Sequence, residues 1–254
     1  MKVYLLQFSP VWEDKEKNFD QVKKWIRSNK PTPDSLLVLQ ETFATGFSLN
    51  LEKTMGDEPH HTESFLKNLS SQLGIWVMGG MISPAGINSA RGKNSVVLYC
   101  PNGTKKGCYE KINLFKPAGE EKVHLGGDKI EVFEVNGMKI CPLICYDLRF
   151  PEVFRTGIKK GADVFMVHAC WPKSRMDHWK ILLQARAVEN QSYVVGINRT
   201  GEEPETEYAG GSIVIDPQGN IILELGKESI CKEAILERSL VDEWRAAFPA
   251  LPKR

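Results

Sequence analysis

Short apolar segments alternate with amphipathic helical patterns along almost the whole chain. Apolar residues recur at helical spacing over residues 18–26 and 65–73, where Gly74 ends the second pattern, and a long helix is predicted up to residue 190. The short apolar runs between the helices predict strands. These strands lie at residues 3–8, 36–39, 75–81, 95–99, 105–109, 130–135, 138–144, 164–167, 193–197, 212–215, 221–225 and 230–236.

The connections between these segments indicate the fold class. Asn-Gly pairs at residues 102–103 and 136–137 predict hairpin turns, and a helix is predicted at 241–248 near the end of the chain. The sequence contains no linker, repeat or low-complexity tract, and 254 residues can bury a sizeable core. We therefore expect an α/β fold with both hairpins and helical crossovers, built as one domain over residues 1–254.

The charge balance argues against nucleic acid and membrane surfaces as partners. The net charge is +1, and basic and acidic residues are mixed along the sequence rather than clustered. The apolar start of the chain turns polar at Gln7, and no segment approaches the ~20 apolar residues of a membrane span. We expect a soluble cytoplasmic protein with a small-molecule partner.

The cysteines and histidines indicate a reducing compartment and no catalytic metal. The cysteines form no CxxC pair and no paired zinc spacing, and the histidines lack the HExxH pattern. Cys141 and Cys145 lie on one predicted strand about 13 Å apart at ~3.3 Å per residue, too far for a disulfide. We therefore expect free thiols and no cofactor.

Cys145 stands where the predicted strand 138–144 ends, in the run ICPLICYDLRFPE. Pro151 follows at a position that suits the first turn of a helix. A thiol at a strand-to-helix turn can project into a cleft, where the N–H groups of the turn favour a thiolate. The alternative is a structural role, because free cysteines are among the most buried residue types.

Two other strands deliver a charged residue at their ends in the same way. The strand 36–39 leads to Glu41, and the strand 105–109 leads to Lys111 in the run EKINLF. Taken alone, each is interpreted as an ordinary solvated charge. If both met Cys145 at one sheet edge, they would supply a nucleophile, its base and an electrostatic stabiliser.

Taken together, these segments resemble the nitrilase superfamily, the carbon–nitrogen hydrolases with a Glu-Lys-Cys triad. LLVLQETFATGFS is similar to the family's glutamate motif, EKINLF to its lysine motif and LICYDLRFPE to its cysteine motif. The segments CWPKSRMDHWKILLQARAVENQSYVVGINRTG and YAGGSIVIDPQGNII are also similar to family segments, so the resemblance covers nearly the whole chain. Within the superfamily the sequence most resembles the ω-amidases, which hydrolyse the distal amide of 2-oxo dicarboxylate monoamides.

The resemblance implies a fold, an assembly and a catalytic set. The fold would be a four-layer α-β-β-α sandwich, and a homodimer would form through the helices on the cysteine side. Cys145 would attack the amide, Glu41 would act as its base, and Lys111 with the Tyr146 N–H would stabilise the oxyanion. We expect Lys111 to lower the pKa of the thiol. A second glutamate is implied in the loop KPAGEEKVHLGG, at Glu120 in preference to Glu121.

The substrate pocket is less well defined by sequence. Arg149 is a candidate for binding a substrate carboxylate, or for a structural tie to Glu152 or Asp147. Tyr146, Trp171 and Arg175 would line the pocket, with plain packing as the alternative for Trp171.

Two positions depart from the family pattern. Gln40 stands where the family usually has proline, and Cys170 where ω-amidases more often have asparagine. The second departure is expected at the pocket.

Other functions remain open at this point. Within the superfamily, a nitrilase, an N-carbamoyl amino acid hydrolase and an amidase for deaminated glutathione are alternatives. A Cys-His hydrolase that uses His168 or His178 would leave Glu41 and Lys111 unexplained. A non-catalytic metabolite-binding protein on the same fold is disfavoured, because each position of the triad holds a competent residue.

Overall fold

The computed structural model describes residues 1–55, 61–86 and 89–251. The strands, in chain order, are β1 (Lys2–Gln7), β2 (Leu36–Leu39), β3 (Trp76–Pro84), β4 (Gly92–Tyr99), β5 (Lys105–Glu110), β6 (Phe133–Val135), β7 (Met138–Ile144), β8 (Val164–His168), β9 (Tyr193–Ile197), β10 (Thr200–Glu203), β11 (Thr206–Ala209), β12 (Ile213–Ile215), β13 (Ile221–Glu224) and β14 (Ile230–Ile235). The α-helices are α1 (Lys15–Asn29), α2 (Leu51–Thr54), α3 (His61–Leu73), α4 (Glu120–Val123), α5 (Pro151–Lys159), α6 (Met176–Asn190) and α7 (Arg238–Ala247).

These strands build two six-stranded mixed sheets. The first has the order β14-β1-β2-β3-β4-β5, in which β1, β2 and β3 are parallel. The second has the order β13-β12-β9-β8-β7-β6, in which β7, β8 and β9 are parallel. The carboxyl ends of β7 and β8 therefore meet at one edge of the second sheet, as those of β1 and β2 do in the first.

Alternating side chains along the strands build the layers. On β1, Val3 and Leu5 belong to the core shared with the second sheet, while Tyr4 and Leu6 pack with residues of α1 and α3 on the opposite face. On the outer side of the second sheet, Gly196 leaves room for Trp179 and Leu183 of α6. The layers follow the order α-β-β-α, so the predicted nitrilase-type α/β sandwich is confirmed.

The predicted elements agree with the structure in most of the chain, but the short helices α2 and α4 and the hairpin β10–β11 are missing from them. Asn136 and Gly137 both have positive φ, as a two-residue hairpin turn requires, and Pro151 begins α5 as predicted. The hairpin β10–β11 was not predicted, because its sequence is polar and lacks an alternating apolar face. Within the described ranges, none of the helices is both long and apolar enough to cross a bilayer.

Candidate active site

Cys145 occupies a strained turn directly after β7. Its φ is 44°, in the left-handed region that non-glycine residues seldom adopt, and the chain continues as a 3₁₀ turn over Cys145–Arg149. The buried Asp147 carboxylate stabilises this turn, since it accepts the Ile144 N–H at 3.0 Å. It also accepts the Tyr109 hydroxyl at 2.7 Å and the Asn113 N–H at 2.9 Å. Asp147 thus ties the cysteine turn to the segment that carries the predicted lysine.

Lys111 lies between two carboxylates in the interior. Its Nζ is 3.0 Å from Oε1 of Glu41 and 2.9 Å from Oε2 of Glu120, and all three side chains are fully buried. The Asn94 amide donates to both glutamates, at 2.8 Å and 2.9 Å. The structure therefore places Glu120 beside the lysine. Among the described residues, no hydrogen bond or ion pair joins the Glu121 side chain to Lys111.

Glu41 also connects this cluster to the thiol. Its Oε2 accepts the backbone N–H of Cys170 at 2.8 Å, and its carboxylate interacts electrostatically with the Cys145 thiol. The sulfur of Cys145 is 3.9 Å from the carbonyl oxygen of Cys170. The structure thus brings Glu41, Lys111, Glu120 and Cys145, from four different segments, into one cluster.

The pKa shifts of Lys111 and Glu120 follow from their mutual contact. Burial alone lowers the pKa of Lys111, but the charges of Glu120 and Glu41 raise it well above its usual range. Burial alone raises the pKa of Glu120, but the charge of Lys111 lowers it below its usual range. The lysine is therefore a fixed cation held by two carboxylates at neutral pH.

Lys111 lowers the pKa of the Cys145 thiol, as expected, but larger effects outweigh it. Burial first, and the charge of Glu41 second, raise the pKa of Cys145 well above its usual value, and the opposing effect of Lys111 is smaller. The lysine charge is already balanced by the carboxylates it contacts. The Cys145 side chain is consequently a thiol at rest, and a thiol needs a base before it can act as a nucleophile.

The thiol opens into a cavity of about 690 Å³. The four predicted pocket residues, Tyr146, Arg149, Trp171 and Arg175, all lie in its wall, and so does Cys170, as expected. Other lining residues, which the sequence did not indicate, include Phe47, Phe115 and Tyr208. Tyr208 belongs to the hairpin β10–β11, which forms one side of the cavity.

The two arginines of the cavity wall are supported by aromatic rings. The Arg149 guanidinium lies 4.9 Å from the ring centre of Trp171 and 5.9 Å from that of Tyr146, and its Nη2 is 3.2 Å from His178 Nδ1. The Arg175 guanidinium lies 5.6 Å from the ring centre of Phe115. In the described part of the chain neither forms an ion pair with a carboxylate, so the alternative of a structural tie from Arg149 to Glu152 or Asp147 is not observed.

The histidines of the Cys-His alternative bond elsewhere. His168 is buried, its Nδ1 lies 2.7 Å from the Leu39 carbonyl oxygen, and burial lowers its pKa to about 4. His178 is exposed and contacts Arg149. Neither ring hydrogen-bonds the Cys145 thiol among the described residues. No group of three or more His, Cys, Asp or Glu side chains within those ranges is arranged to hold a metal ion.

Comparison with known proteins places this geometry in a family. Residues 2–246 match the family model for carbon–nitrogen hydrolases. The chain belongs to the carbon–nitrogen hydrolase family. This carbon–nitrogen hydrolase is 34% identical over 245 residues to the 2-oxoglutaramate amidase of Bacillus subtilis, which covers 96% of this chain and 93% of that protein.

A second relative and a solved structure support the same family assignment. An omega-amidase of Yersinia enterocolitica is 34% identical over 256 residues, covering 98% of this chain and 95% of that protein. The solved structure of a CN-hydrolase superfamily protein from Xanthomonas campestris has a TM-score of 0.89 and 29% identity, and covers 99% of this chain and 96% of that one. This carbon–nitrogen hydrolase is therefore an amidohydrolase of the nitrilase superfamily, and a purely non-catalytic role is set aside.

Proposed function

We propose that the enzyme releases ammonia from small dicarboxylate monoamides, such as 2-oxoglutaramate or 2-oxosuccinamate, through an acyl-enzyme on Cys145. The observation that carries this proposal is a thiol under the electrostatic influence of Glu41, at a cavity whose wall holds two guanidinium groups, those of Arg149 and Arg175. The similarity to a 2-oxoglutaramate amidase and an omega-amidase supports the same substrate class.

In the acylation step, Glu41 takes the proton of the Cys145 thiol while the sulfur attacks the amide carbon. This transfer suits a thiol that burial keeps protonated at rest. Lys111 and the backbone N–H of Tyr146 stabilise the oxyanion of the tetrahedral intermediate, and one such donor contributes about 2.7–4 kcal/mol. Glu41 then passes the proton to the departing ammonia.

In the deacylation step, Glu41 activates a water molecule that hydrolyses the thioester and releases the carboxylate product. Glu120 has a supporting role, because its hydrogen bonds hold Lys111 cationic and fixed in position. It is itself fixed by the Phe115 N–H at 2.6 Å. Asn94 links the two glutamates, so base and stabiliser keep one relative geometry.

The distal carboxylate of the substrate would bind to the arginines. A guanidinium group can bind a carboxylate through two parallel hydrogen bonds, and neither Arg149 nor Arg175 is neutralised by a carboxylate among the described residues. The test compares kcat/KM for succinamate or 2-oxoglutaramate with that for butyramide and butyronitrile. Equal or higher values for the uncharged compounds would contradict the proposed substrate class and favour a general amidase or a nitrilase. Activity restricted to N-carbamoyl amino acids would also contradict the proposed substrate class, and it would favour an N-carbamoyl amino acid hydrolase.

We also propose that the enzyme is a homodimer formed through α6. Ile181 and Val188 are 64% and 54% exposed and lie seven residues apart, on one face of this helix. Ile222 of β13 is also exposed, on the same side of its strand as Glu224, which pairs with Lys180 of α6. Sedimentation should give a dimer for the native enzyme and a monomer for Ile181→Glu. A native monomer would contradict the proposal.

The cytoplasm is the compartment we propose, because all six cysteines are free thiols, as a reducing environment maintains them. Cell fractionation tests this, and recovery outside the cytoplasm would contradict it.

A further inference from the structure

A second cysteine lies next to Cys145 on the neighbouring strand. Ile144 of β7 is paired with His168 of β8, so Cys145 lies one residue and Cys170 two residues beyond a paired position of parallel strands. Regular parallel geometry, with strands ~4.8 Å apart and an offset of one residue, ~3.3 Å, would put the two Cα atoms about 6 Å apart. That separation falls within the range of about 4.4–6.8 Å that a disulfide needs.

The side-chain contacts agree with this placement. The Cys145 sulfur lies 3.9 Å from the Cys170 carbonyl oxygen, so it points toward that residue. The Cys170 sulfur lies 3.3 Å from the Glu41 carbonyl oxygen and 3.5 Å from the Thr42 hydroxyl. Both cysteines line the same cavity. A rotation about the Cα–Cβ bond of Cys170 is the movement that would bring the two sulfurs together.

We propose that Cys145 and Cys170 form a reversible disulfide site that reacts with hydroperoxides entering the cavity. This reaction goes beyond amide hydrolysis and does not depend on which amide is the substrate. Cys170 would act as the resolving cysteine, which converts an oxidised nucleophile into a form that a dithiol can reduce.

Each step balances. The Cys145 sulfur attacks one oxygen of the hydroperoxide, the O–O bond breaks, and the sulfur is oxidised to a sulfenic acid while the peroxide is reduced to water or an alcohol. The Cys170 sulfur then attacks the sulfenic sulfur; the S–S bond forms, the S–O bond breaks, and hydroxide leaves as water with the proton of Cys170. A dithiol reductant restores both thiols and is itself oxidised to a disulfide.

Glu41 is the base available for this chemistry. Burial raises the pKa of Cys170 to about 12 and that of Cys145 well above its usual value, so both thiols are protonated at rest. The Glu41 carboxylate accepts the Cys170 N–H and interacts electrostatically with the Cys145 thiol, so it is coupled to both residues. Without a resolving thiol, a sulfenic acid at Cys145 would proceed to the irreversible sulfinic acid.

Peptide mapping under non-reducing conditions tests the proposal. Trypsin places Cys145 in ICPLICYDLR and Cys170 in GADVFMVHACWPK. After hydrogen peroxide, we expect these peptides to be joined in a species two hydrogen atoms lighter than their sum. Cys141 shares the first peptide, is buried on β7 and does not line the cavity, so Cys141→Ser is the matched control and should retain the cross-link.

Recovery of activity gives a second measurement. Each variant is compared with its own untreated activity after peroxide and then dithiothreitol. The native enzyme and Cys141→Ser should recover most of their activity, whereas Cys170→Ser and Cys170→Ala should stay inactive and carry sulfinic acid at Cys145. The absence of the joined peptide in the native enzyme, its loss in Cys141→Ser, or equal recovery in the Cys170 variants would overturn the proposal.

Discussion

Replacing Lys111 with methionine removes one charge and leaves two carboxylates buried without their cation. The lost ammonium lies 3.0 Å from Glu41 and 2.9 Å from Glu120. Removing one partner of a buried ion pair typically costs about 3–5 kcal/mol in free energy of unfolding. Loss of an oxyanion donor costs about 2.7–4 kcal/mol of barrier, which is roughly 10²–10³ in kcat. Because the lysine also orders the base, we expect the loss of kcat to reach the upper end of that range or exceed it.

The stability loss of Lys111→Met should depend on pH in a defined direction. Lys111 holds the pKa of Glu120 below its unfolded value, so the pair stabilises the protein above about pH 4.3 and loses this contribution as the pH falls toward the folded pKa. The variant lacks this contribution. The difference in free energy of unfolding between native enzyme and variant should therefore be largest at neutral pH and shrink below about pH 4.

Urea unfolding at pH 7.5 and pH 4, together with ammonia release, measures both effects. Lys93→Met is the matched control, because Lys93 on β4 pairs with the partly exposed Glu110 at 2.6 Å. An ion pair with that exposure contributes about 0–1 kcal/mol to the free energy of unfolding. Native turnover in Lys111→Met, or a stability loss no larger than that of Lys93→Met, would refute the account of the buried cluster.

The remaining predictions concern single side chains of the site. Cys145→Ala should abolish ammonia release while its thermal unfolding stays close to that of the native enzyme, because only a small side chain is lost. Glu120→Gln should lower kcat at least about tenfold through weaker stabilisation of the cationic lysine, and Glu121→Gln should change it little. Arg149→Met should raise KM for succinamate about tenfold or more and leave butyramide unaffected. In steady-state assays His168→Ala should lower kcat far less than Glu41→Gln; an equal loss would favour a histidine base.

Much of the fold was predictable because local patterns and long-range packing agree. The short apolar run of β2, for example, can be buried on both faces only in a sheet, and its end fixes where Glu41 emerges. The hairpin β10–β11 was not predictable from apolar periodicity, since its strands are held by backbone pairing and by polar contacts such as Tyr208 to Glu203 at 2.6 Å. The assignment of residues 1–254 to one domain stays a prediction.

The sequence indicated most of the residues that meet at the site, but it did not indicate the pKa shifts of these residues. A charged residue after an apolar strand was a usable signal for Glu41 and Lys111. Asn94 lies in the polar first half of β4, before the apolar run at 96–99, so no sequence signal indicated its contact with both glutamates. The lowering effect of Lys111 on the pKa of Cys145 was predicted, but the net rise was not, because burial and the neighbouring Glu41 charge exist only in the folded chain. The catalytic roles stay predictions until the variants are measured.

A common acyl-enzyme on Cys145 is the central claim, and partitioning with hydroxylamine tests it most directly. Hydroxylamine competes with water for a thioester, so the product is a mixture of hydroxamate and carboxylate. The enzyme is supplied with succinamate, and separately with the N-methyl amide of the same acid, at one concentration of hydroxylamine. If both substrates pass through the same thioester, the ratio of hydroxamate to carboxylate is the same for both, although their rates differ. A ratio that changes with the leaving group would contradict the claim.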